Sequence, residues 1–97
     1  MIRLAWRPKA REDRTEIMDY IAQDNPIAAL ELDEAIEAKT NALVDHPKLY
    51  KPGRMKGTRE MVIRPSYLVV YRESKTEIAI LRVLHAAQQW PKKASNG

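Results

Sequence analysis

The dipeptide Asn25-Pro26 restricts the fold of this chain more than any other feature, because it divides one long stretch of helical periodicity in two. Asparagine is a favoured N-cap, and proline suits the first position of a helix. An apolar stripe runs before the dipeptide, from Pro8 to Gln23, and another runs after it, to about Val44. His46-Pro47 ends the second helix, since the residue before a proline is pushed out of the α region. The sequence therefore predicts a helical hairpin with a very short turn.

The segments on either side of this hairpin alternate with the period of β-strands. In "IRLAW", residues 2–6, the side chains of Ile2, Leu4 and Trp6 share one face. A connection rich in basic residues, 47–57, precedes three further strands, predicted at Thr58–Arg64, Tyr67–Arg72 and Glu77–Leu84. This order predicts an α+β fold: an N-terminal strand, a helical hairpin, then a three-stranded antiparallel meander. We expect the hairpin to cover one face of the sheet and basic residues to collect on the other.

A chain of 97 residues is long enough for a single domain, which we expect to span 1–97 with a tail that frays from about residue 92. There is no cysteine for a disulfide or a thiolate site, and no carboxylate cluster accompanies His46 or His85. We therefore expect no metal and, without a glycine-rich phosphate motif, no cofactor. No apolar run approaches the ~20 residues of a membrane span, and no signal core begins the sequence, so a cytoplasmic protein is expected.

The formal net charge of +4 is unevenly distributed along the chain. Residues 11–45 carry three basic and ten acidic side chains, a net −7, whereas residues 48–75 carry eight basic and two acidic ones, a net +6. Such asymmetry favours an acidic hairpin facing solvent and a basic half that binds a polyanion or an acidic partner. The alternative is chance segregation of charge on a small surface.

Four segments together resemble the RelE/ParE superfamily, the toxins of bacterial type II toxin–antitoxin modules. They are "AWRPKAREDRTEIMDYIAQDNPIAAL", "GTREMVI", "YLVVYR" and "ILRVLHAAQQWP", and the similarity runs from about Leu4 to Pro91. The resemblance implies a small antiparallel sheet cradling a helical hairpin. It also implies a cognate antitoxin, which wraps the toxin with its C-terminal segment and through which the complex binds operator DNA.

The superfamily contains two activities: RelE-like members cut mRNA on the ribosome, and ParE-like members poison DNA gyrase without being nucleases. In RelE-like toxins an arginine typically follows the aromatic residue of the middle strand, but here Leu68 follows Tyr67. The segment after the last strand begins Ala86-Ala87 rather than with a basic residue, and Trp90 is its only aromatic residue. The resemblance is therefore closer to ParE and implies a non-enzymatic gyrase inhibitor. The alternatives are a ribosome-dependent mRNA endonuclease and an inactive member that only regulates its operon.

Candidate site residues differ between these activities. A metal-free ribonuclease would use His85 as acid or base with Arg59 or Arg82 at the phosphate, and Tyr67 nearby. Alternation along the last strand predicts that His85 and Arg82 point to opposite faces, and a histidine that hydrogen-bonds the C-terminal segment is the structural alternative. For binding a target or the antitoxin, the candidates are Arg54, Lys56, Arg59, Arg64, Tyr71, Arg72 and Trp90.

Five of the seven binding candidates also have a structural interpretation. Arg54 and Lys56 lie in a glycine-bearing loop, where charges are usually solvated and mobile. Arg59 is equally suited to an ion pair across the sheet. The aromatic side chains of Tyr71 and Trp90 are more often packed than used for binding.

Overall fold

The computed structural model describes residues 2–88 and Trp90. Strand β1 (Arg3–Trp6) is followed by helices α1 (Pro8–Ala22) and α2 (Pro26–Ala42), and then by strands β2 (Arg59–Arg64), β3 (Tyr67–Glu73) and β4 (Glu77–His85). The predicted α+β order is confirmed, and each predicted boundary lies within two residues of the observed one. The tail expected to fray from about residue 92 lies outside the described residues.

The helical hairpin forms for the reasons that the sequence suggested. Pro8 and Pro26 both lie in the first turn of their helices. The Asn25 side chain accepts a hydrogen bond from the Ala28 N–H at 3.0 Å, which caps α2. Arg14 of α1 donates to Asp33 of α2 at 2.7 Å and to Glu37 at 3.0 Å, so the two helices are also joined by ion pairs.

The four strands form one sheet in the order β1-β4-β3-β2. The helical hairpin connects β1 to β2, which lie at opposite edges of the sheet. Strand β1 is parallel to β4, while β2, β3 and β4 form the predicted antiparallel meander. The main core lies between the sheet and the hairpin. Its largest fully buried members are Ile36, Leu43, Met61, Val69, Tyr71, Ile78, Ile80 and Val83.

A β-bulge at Leu81 interrupts the alternation of β4. Val70 of β3 pairs with Arg82 and Tyr71 pairs with Ile80, so Leu81 has no partner opposite it. Ile80 and Val83 consequently both face the main core, although their numbers differ in parity. The strict alternation that the sequence predicted for this strand is therefore wrong beyond Ile80.

The sheet face turned away from the helices, here called the outer face, has an apolar centre. Leu68, Val70 and Leu84 form a second buried cluster, against which Leu81 and Trp90 pack. The expectation that this face would simply collect basic residues is wrong. Its centre is apolar because the side chains that β3 places on this face are Leu68 and Val70. A cation is also present there, since the Arg82 guanidinium lies over the Trp90 ring.

The two charged halves of the sequence remain separate in the fold. Among the described residues, no basic side chain of 48–75 forms an ion pair with an acidic side chain of 11–45; Arg54 pairs with Glu60 and Arg59 with Glu73 instead. This agrees with the predicted separation of an acidic hairpin from a basic strand region. Within the described part of the chain, neither helix has the length and apolar character needed to cross a membrane.

Candidate functional site

A groove of about 340 Å³ lies between α1 and the end of β4 and is here called the β4 groove. It exists because β1 ends at Trp6, opposite Ile80, and leaves the rest of the β4 edge to be covered by α1. Three of the four candidate ribonuclease residues, Tyr67, Arg82 and His85, line this groove. Arg82 and His85 stand on opposite faces of β4, as alternation predicts, because Arg82 pairs with Val70 and His85 with Tyr67 in an unbroken register. They nevertheless share one groove, since the Arg82 side chain reaches Asp13 of α1 at the edge of the sheet.

His85 is held by its neighbours in the C-terminal segment. Its Nδ1 accepts a hydrogen bond from the Ala87 N–H at 3.1 Å, so the neutral imidazole carries its proton on Nε2. The Tyr67 ring, directly opposite on β3, meets the imidazole edge-on with centroids 5.2 Å apart. This is the arrangement of the structural alternative, and it leaves only Nε2 to act towards the groove.

The Arg82 guanidinium makes hydrogen bonds through its N–H groups and a cation–π contact through its planar face. Its Nε and Nη2 donate to the two carboxylate oxygens of Asp13 at 2.6 and 3.1 Å, and its guanidinium lies 5.2 Å from the centre of the Trp90 ring. Asp13 is 7% exposed and also accepts the Val83 N–H at 3.0 Å. Sequence reasoning missed Asp13. The available signal was its position on the apolar stripe of α1, three residues after Ala10 and four before Ile17.

Arg59 lies away from the β4 groove and fastens the chain before β2 to the sheet. Its Nη1 donates to the Tyr50 carbonyl at 2.7 Å, and its Nη2 lies 3.6 Å from Glu73. The neighbouring Tyr71 is fully buried in the main core, and its hydroxyl donates to the Pro47 carbonyl at 3.1 Å. Burial raises the pKa of the Tyr71 hydroxyl above its ordinary value, against a smaller opposing effect of the Arg59 charge. Tyr71 therefore packs instead of offering a binding surface.

The segment 51–60, here called the basic loop, is folded rather than free. Pro52 forms a β-bridge with Arg59, and the Gly53 N–H donates to the Thr58 carbonyl at 2.7 Å. Arg54 donates from its backbone to Glu60 at 2.9 Å and from its guanidinium to the Trp90 carbonyl at 3.2 Å. The expectation that Arg54 is too mobile to have a definite role is wrong, because two distant partners fix it.

The remaining binding candidates differ in what they offer. Lys56, Arg64 and Arg72 are exposed, and Arg64 makes one long contact of 3.5 Å with the Glu31 carbonyl. Trp90 is half-buried on the outer face, and its Nε1 is buried with no hydrogen-bond partner among the described residues. In the same part of the chain, no three histidine, cysteine, aspartate or glutamate side chains come together in a way that could hold a metal ion.

The helical hairpin exposes three large apolar side chains, one of which, Tyr20, lines the β4 groove. Tyr20, Ile27 and Leu30 are 74%, 70% and 59% exposed. Leu30 and Met18 line an open groove of about 410 Å³ between α1 and α2, here called the hairpin groove. Neither Ile27 nor Leu30 lies on the apolar stripe of α2, which is why the periodicity gave no reason to choose them.

Comparison with known proteins gives consistent matches. Residues 4–90 match the model of the family described as the ParE toxin of type II toxin-antitoxin system, parDE. The chain is 40% identical to the protein Y4kP of Sinorhizobium fredii over 90 residues, covering 92% of this chain and 93% of that one. It is 31% identical to Toxin RelE2 of Caulobacter vibrioides over 90 residues, covering 91% and 99%.

The fold also matches a solved structure of the chromosomal ParDE toxin–antitoxin system from P. aeruginosa. The TM-score is 0.78 at 25% sequence identity, with 88% of this chain and 96% of that chain covered. The relatives therefore carry both ParE and RelE names, as the resemblance of the sequence anticipated.

Proposed function

The chain belongs to the ParE toxin family of type II toxin–antitoxin systems, and on this basis we propose that it arrests growth by inhibiting DNA gyrase, without catalysis of its own. We further propose that a cognate antitoxin neutralises it by direct binding, and that this complex binds operator DNA through the antitoxin. The match to the structure of a chromosomal ParDE toxin–antitoxin system supports the antitoxin as partner.

The observation that supports the gyrase proposal is that both arginines that a ribonuclease would need, Arg82 and Arg59, are already bound to other groups of the protein. Cleavage at a ribose 2′-hydroxyl requires cations directed at the scissile phosphate. Arg82 is committed to Asp13 and Trp90, and Arg59 to the Tyr50 carbonyl and Glu73. Releasing Arg82 would leave the carboxylate of Asp13 buried without its ionic partner, which is costly. A binding protein needs no such release.

The ribonuclease remains the second candidate because of one specific observation. His85, Tyr67 and Arg82 line a single groove of about 340 Å³, and the His85 Nδ1 is bonded to the Ala87 N–H, which leaves Nε2 for the groove. In this alternative His85 acts as acid or base on mRNA in the ribosome, and Arg82 exchanges Asp13 for the phosphate. The 31% identity to Toxin RelE2 is consistent with it.

The exposed apolar side chains of the hairpin support the antitoxin as a partner. Tyr20, Ile27 and Leu30 are exposed apolar side chains that a small monomer gains by covering. A segment that folds as it binds would bury them and add the stabilisation that a 97-residue domain lacks alone. Acidic residues of 11–45 surround this surface, so we expect basic residues in the antitoxin segment that covers it.

The proposal is tested by inducing the protein in bacteria without its antitoxin. Gyrase inhibition predicts DNA breaks linked to covalently bound gyrase, with mRNA left intact during the first minutes. Ribosome-dependent cleavage predicts cut transcripts and no gyrase-linked breaks, and this result would replace the first proposal by the second. The antitoxin, supplied from a second promoter, serves as the control that should abolish either signal.

A further inference from the structure

The basic loop differs from an ordinary charged loop in that its backbone is fixed before any ligand arrives. The Glu60 N–H donates to the Lys51 carbonyl at 3.2 Å, and the Thr58 N–H and hydroxyl both donate to the Met55 carbonyl, at 3.1 and 2.6 Å. Gly57 has a φ of +81°, which a residue with a side chain rarely adopts. The loop thus continues the β2 ladder beyond the sheet, and a ligand would not have to order it.

The glycine at position 53 is required by the packing inside this loop. A Cβ there would lie 2.6 Å from the Thr58 Oγ1 and 3.0 Å from the Glu60 Cγ. Thr58 itself is only 3% exposed. The loop is therefore closed around Gly53, and its long basic side chains are left on the outside.

Some charged side chains on and beside the loop form ion pairs, whereas three cations form none with the described residues. Glu60 pairs with Arg54 at 3.4 Å, and Glu73 pairs with Arg59 at 3.6 Å, so the two nearby carboxylates are already matched. Lys51 and Lys56 are exposed and form no ion pair with any described residue. Arg72 is likewise exposed and unpaired within the described part of the chain. The Arg72 Nε lies 3.8 Å from where a Gly57 Cβ would stand, which places this third cation against the loop.

The chemistry of this surface distinguishes a polyanion from a folded protein as its ligand. Protein interfaces have an apolar centre with charges at the rim. Here the loop carries two exposed lysines and adjoins Arg72, and Met55, which is 37% exposed, is the one large apolar side chain that segment 51–60 exposes. Repeated fixed negative charges, such as successive phosphates, match such a surface better. The acidic helical hairpin would also orient the molecule with this side towards a polyanion.

We propose that Lys51, Lys56 and Arg72 on the rigid basic loop form a binding surface for the phosphodiester backbone of a nucleic acid, so that the toxin itself contacts nucleic acid. The antitoxin is not needed for this contact. The inference does not depend on whether gyrase or the ribosome is the target, since both work on a nucleic acid.

The test is fluorescence anisotropy of the purified toxin, without gyrase or antitoxin, against a labelled 20-base-pair duplex. A DNA duplex and an RNA duplex with the same base sequence are compared. The duplex that the toxin binds with the higher affinity identifies which backbone the surface fits. Three phosphate contacts predict a slope of log K against log [salt] of about −2.7, or a loss of about 40-fold between 50 and 200 mM salt. Binding that is absent from both duplexes, or that does not change with salt, would overturn the proposal.

Two charge-matched triple variants make the test specific. The loop variant carries Lys51→Gln, Lys56→Gln and Arg72→Gln, and the control carries Arg3→Gln, Arg11→Gln and Lys75→Gln, which are exposed cations elsewhere without ion pairs among the described residues. The loop variant should lose the salt-dependent binding while the control keeps most of it. Equal loss in both would mean that net charge alone is responsible, and would overturn the assignment to the loop.

Gyrase inhibition by the same two variants is measured separately, so the two proposals can fail independently. A loop variant that no longer binds DNA but still inhibits gyrase would support the inference and place this surface outside the gyrase contact. If the loop variant is misfolded by circular dichroism, the single variant Lys56→Gln replaces it, with an expected slope change of about 0.9. No change of slope in a folded Lys56→Gln protein would contradict a phosphate contact at that residue.

Discussion

Asp13 on α1 and Arg82 on β4, 69 residues apart in sequence, form a bidentate ion pair with donor–acceptor distances of 2.6 and 3.1 Å. The same carboxylate accepts the N–H of Val83, at the edge of β4 that β1 leaves uncovered. One side chain therefore closes the open edge of the sheet and neutralises the arginine that lines the β4 groove. This pair links the stability of the fold to the choice between the two proposed activities.

Replacing Asp13 by asparagine should destabilise the protein by about 3 kcal/mol, because it leaves a largely buried guanidinium without its counter-charge. For a domain of this size the melting temperature should fall by more than about 10 °C. Glu12→Gln is the matched control, since the Lys9–Glu12 pair is exposed and its loss should cost less than about 1 kcal/mol. Equal stability of the two variants in thermal and urea unfolding would show that the pair does not secure the sheet edge.

Tyr71 should make the protein lose stability at high pH. Burial raises the pKa of its hydroxyl in the folded state, so the unfolded chain ionises first, near the ordinary tyrosine pKa of about 10. The unfolded state then binds fewer protons than the folded one, and the free energy of unfolding falls as pH rises above that value. The variant Tyr71→Phe removes this contribution and the hydrogen bond to Pro47, costing about 1 kcal/mol at neutral pH.

The two proteins are compared by urea unfolding at pH 7 and pH 10.5. The free energy of unfolding should fall less between these pH values in Tyr71→Phe than in the parent. An identical fall in both proteins would mean that Tyr71 ionises as easily in the folded state as in the unfolded one. The exposed Tyr20, replaced by phenylalanine, is the control that should leave the pH dependence unchanged.

Antitoxin binding should raise the melting temperature of the toxin, because a ligand that binds only the folded state stabilises it by about 2.7 kcal/mol at 100 times its Kd. Leu30→Glu should weaken this effect by placing a charge in the hairpin groove. Ala38→Glu, an exposed change on the same helix, is the matched control and should bind normally. A melting temperature unaffected by saturating antitoxin peptide would contradict the wrapping arrangement, and equal binding of both variants would place the contact elsewhere.

The fold was predictable from the sequence because its signals are local. Asn25 caps α2 through its own neighbour Ala28, and the prolines at both helix starts act within one turn. The bulge at Leu81 was not predictable, since an apolar run such as "ILRVLH" fits either register until Val83 is packed against the core. From that one residue follows the failure of strict alternation between Ile80 and Val83.

The candidate site was less predictable because the state of a charged side chain depends on distant partners. Nothing near Arg59 in sequence indicated the Tyr50 carbonyl, and nothing near Arg82 indicated Asp13. The exposed cations Lys56 and Arg72 were identified correctly as surface residues, since exposure in a polar segment is a local property. Their proposed role in binding remains a prediction.

Gyrase inhibition is tested by supercoiling in vitro with purified toxin and with its His85→Ala variant, beside translation of an mRNA by purified ribosomes. If the protein is a gyrase inhibitor, both forms should block supercoiling at similar concentrations, because loss of one exposed imidazole costs a binding protein about 1 kcal/mol or less. Neither form should then cut the mRNA. The account is contradicted if the parent leaves gyrase active and cleaves mRNA, while a folded His85→Ala protein loses ~100- to 10,000-fold of that cleavage rate.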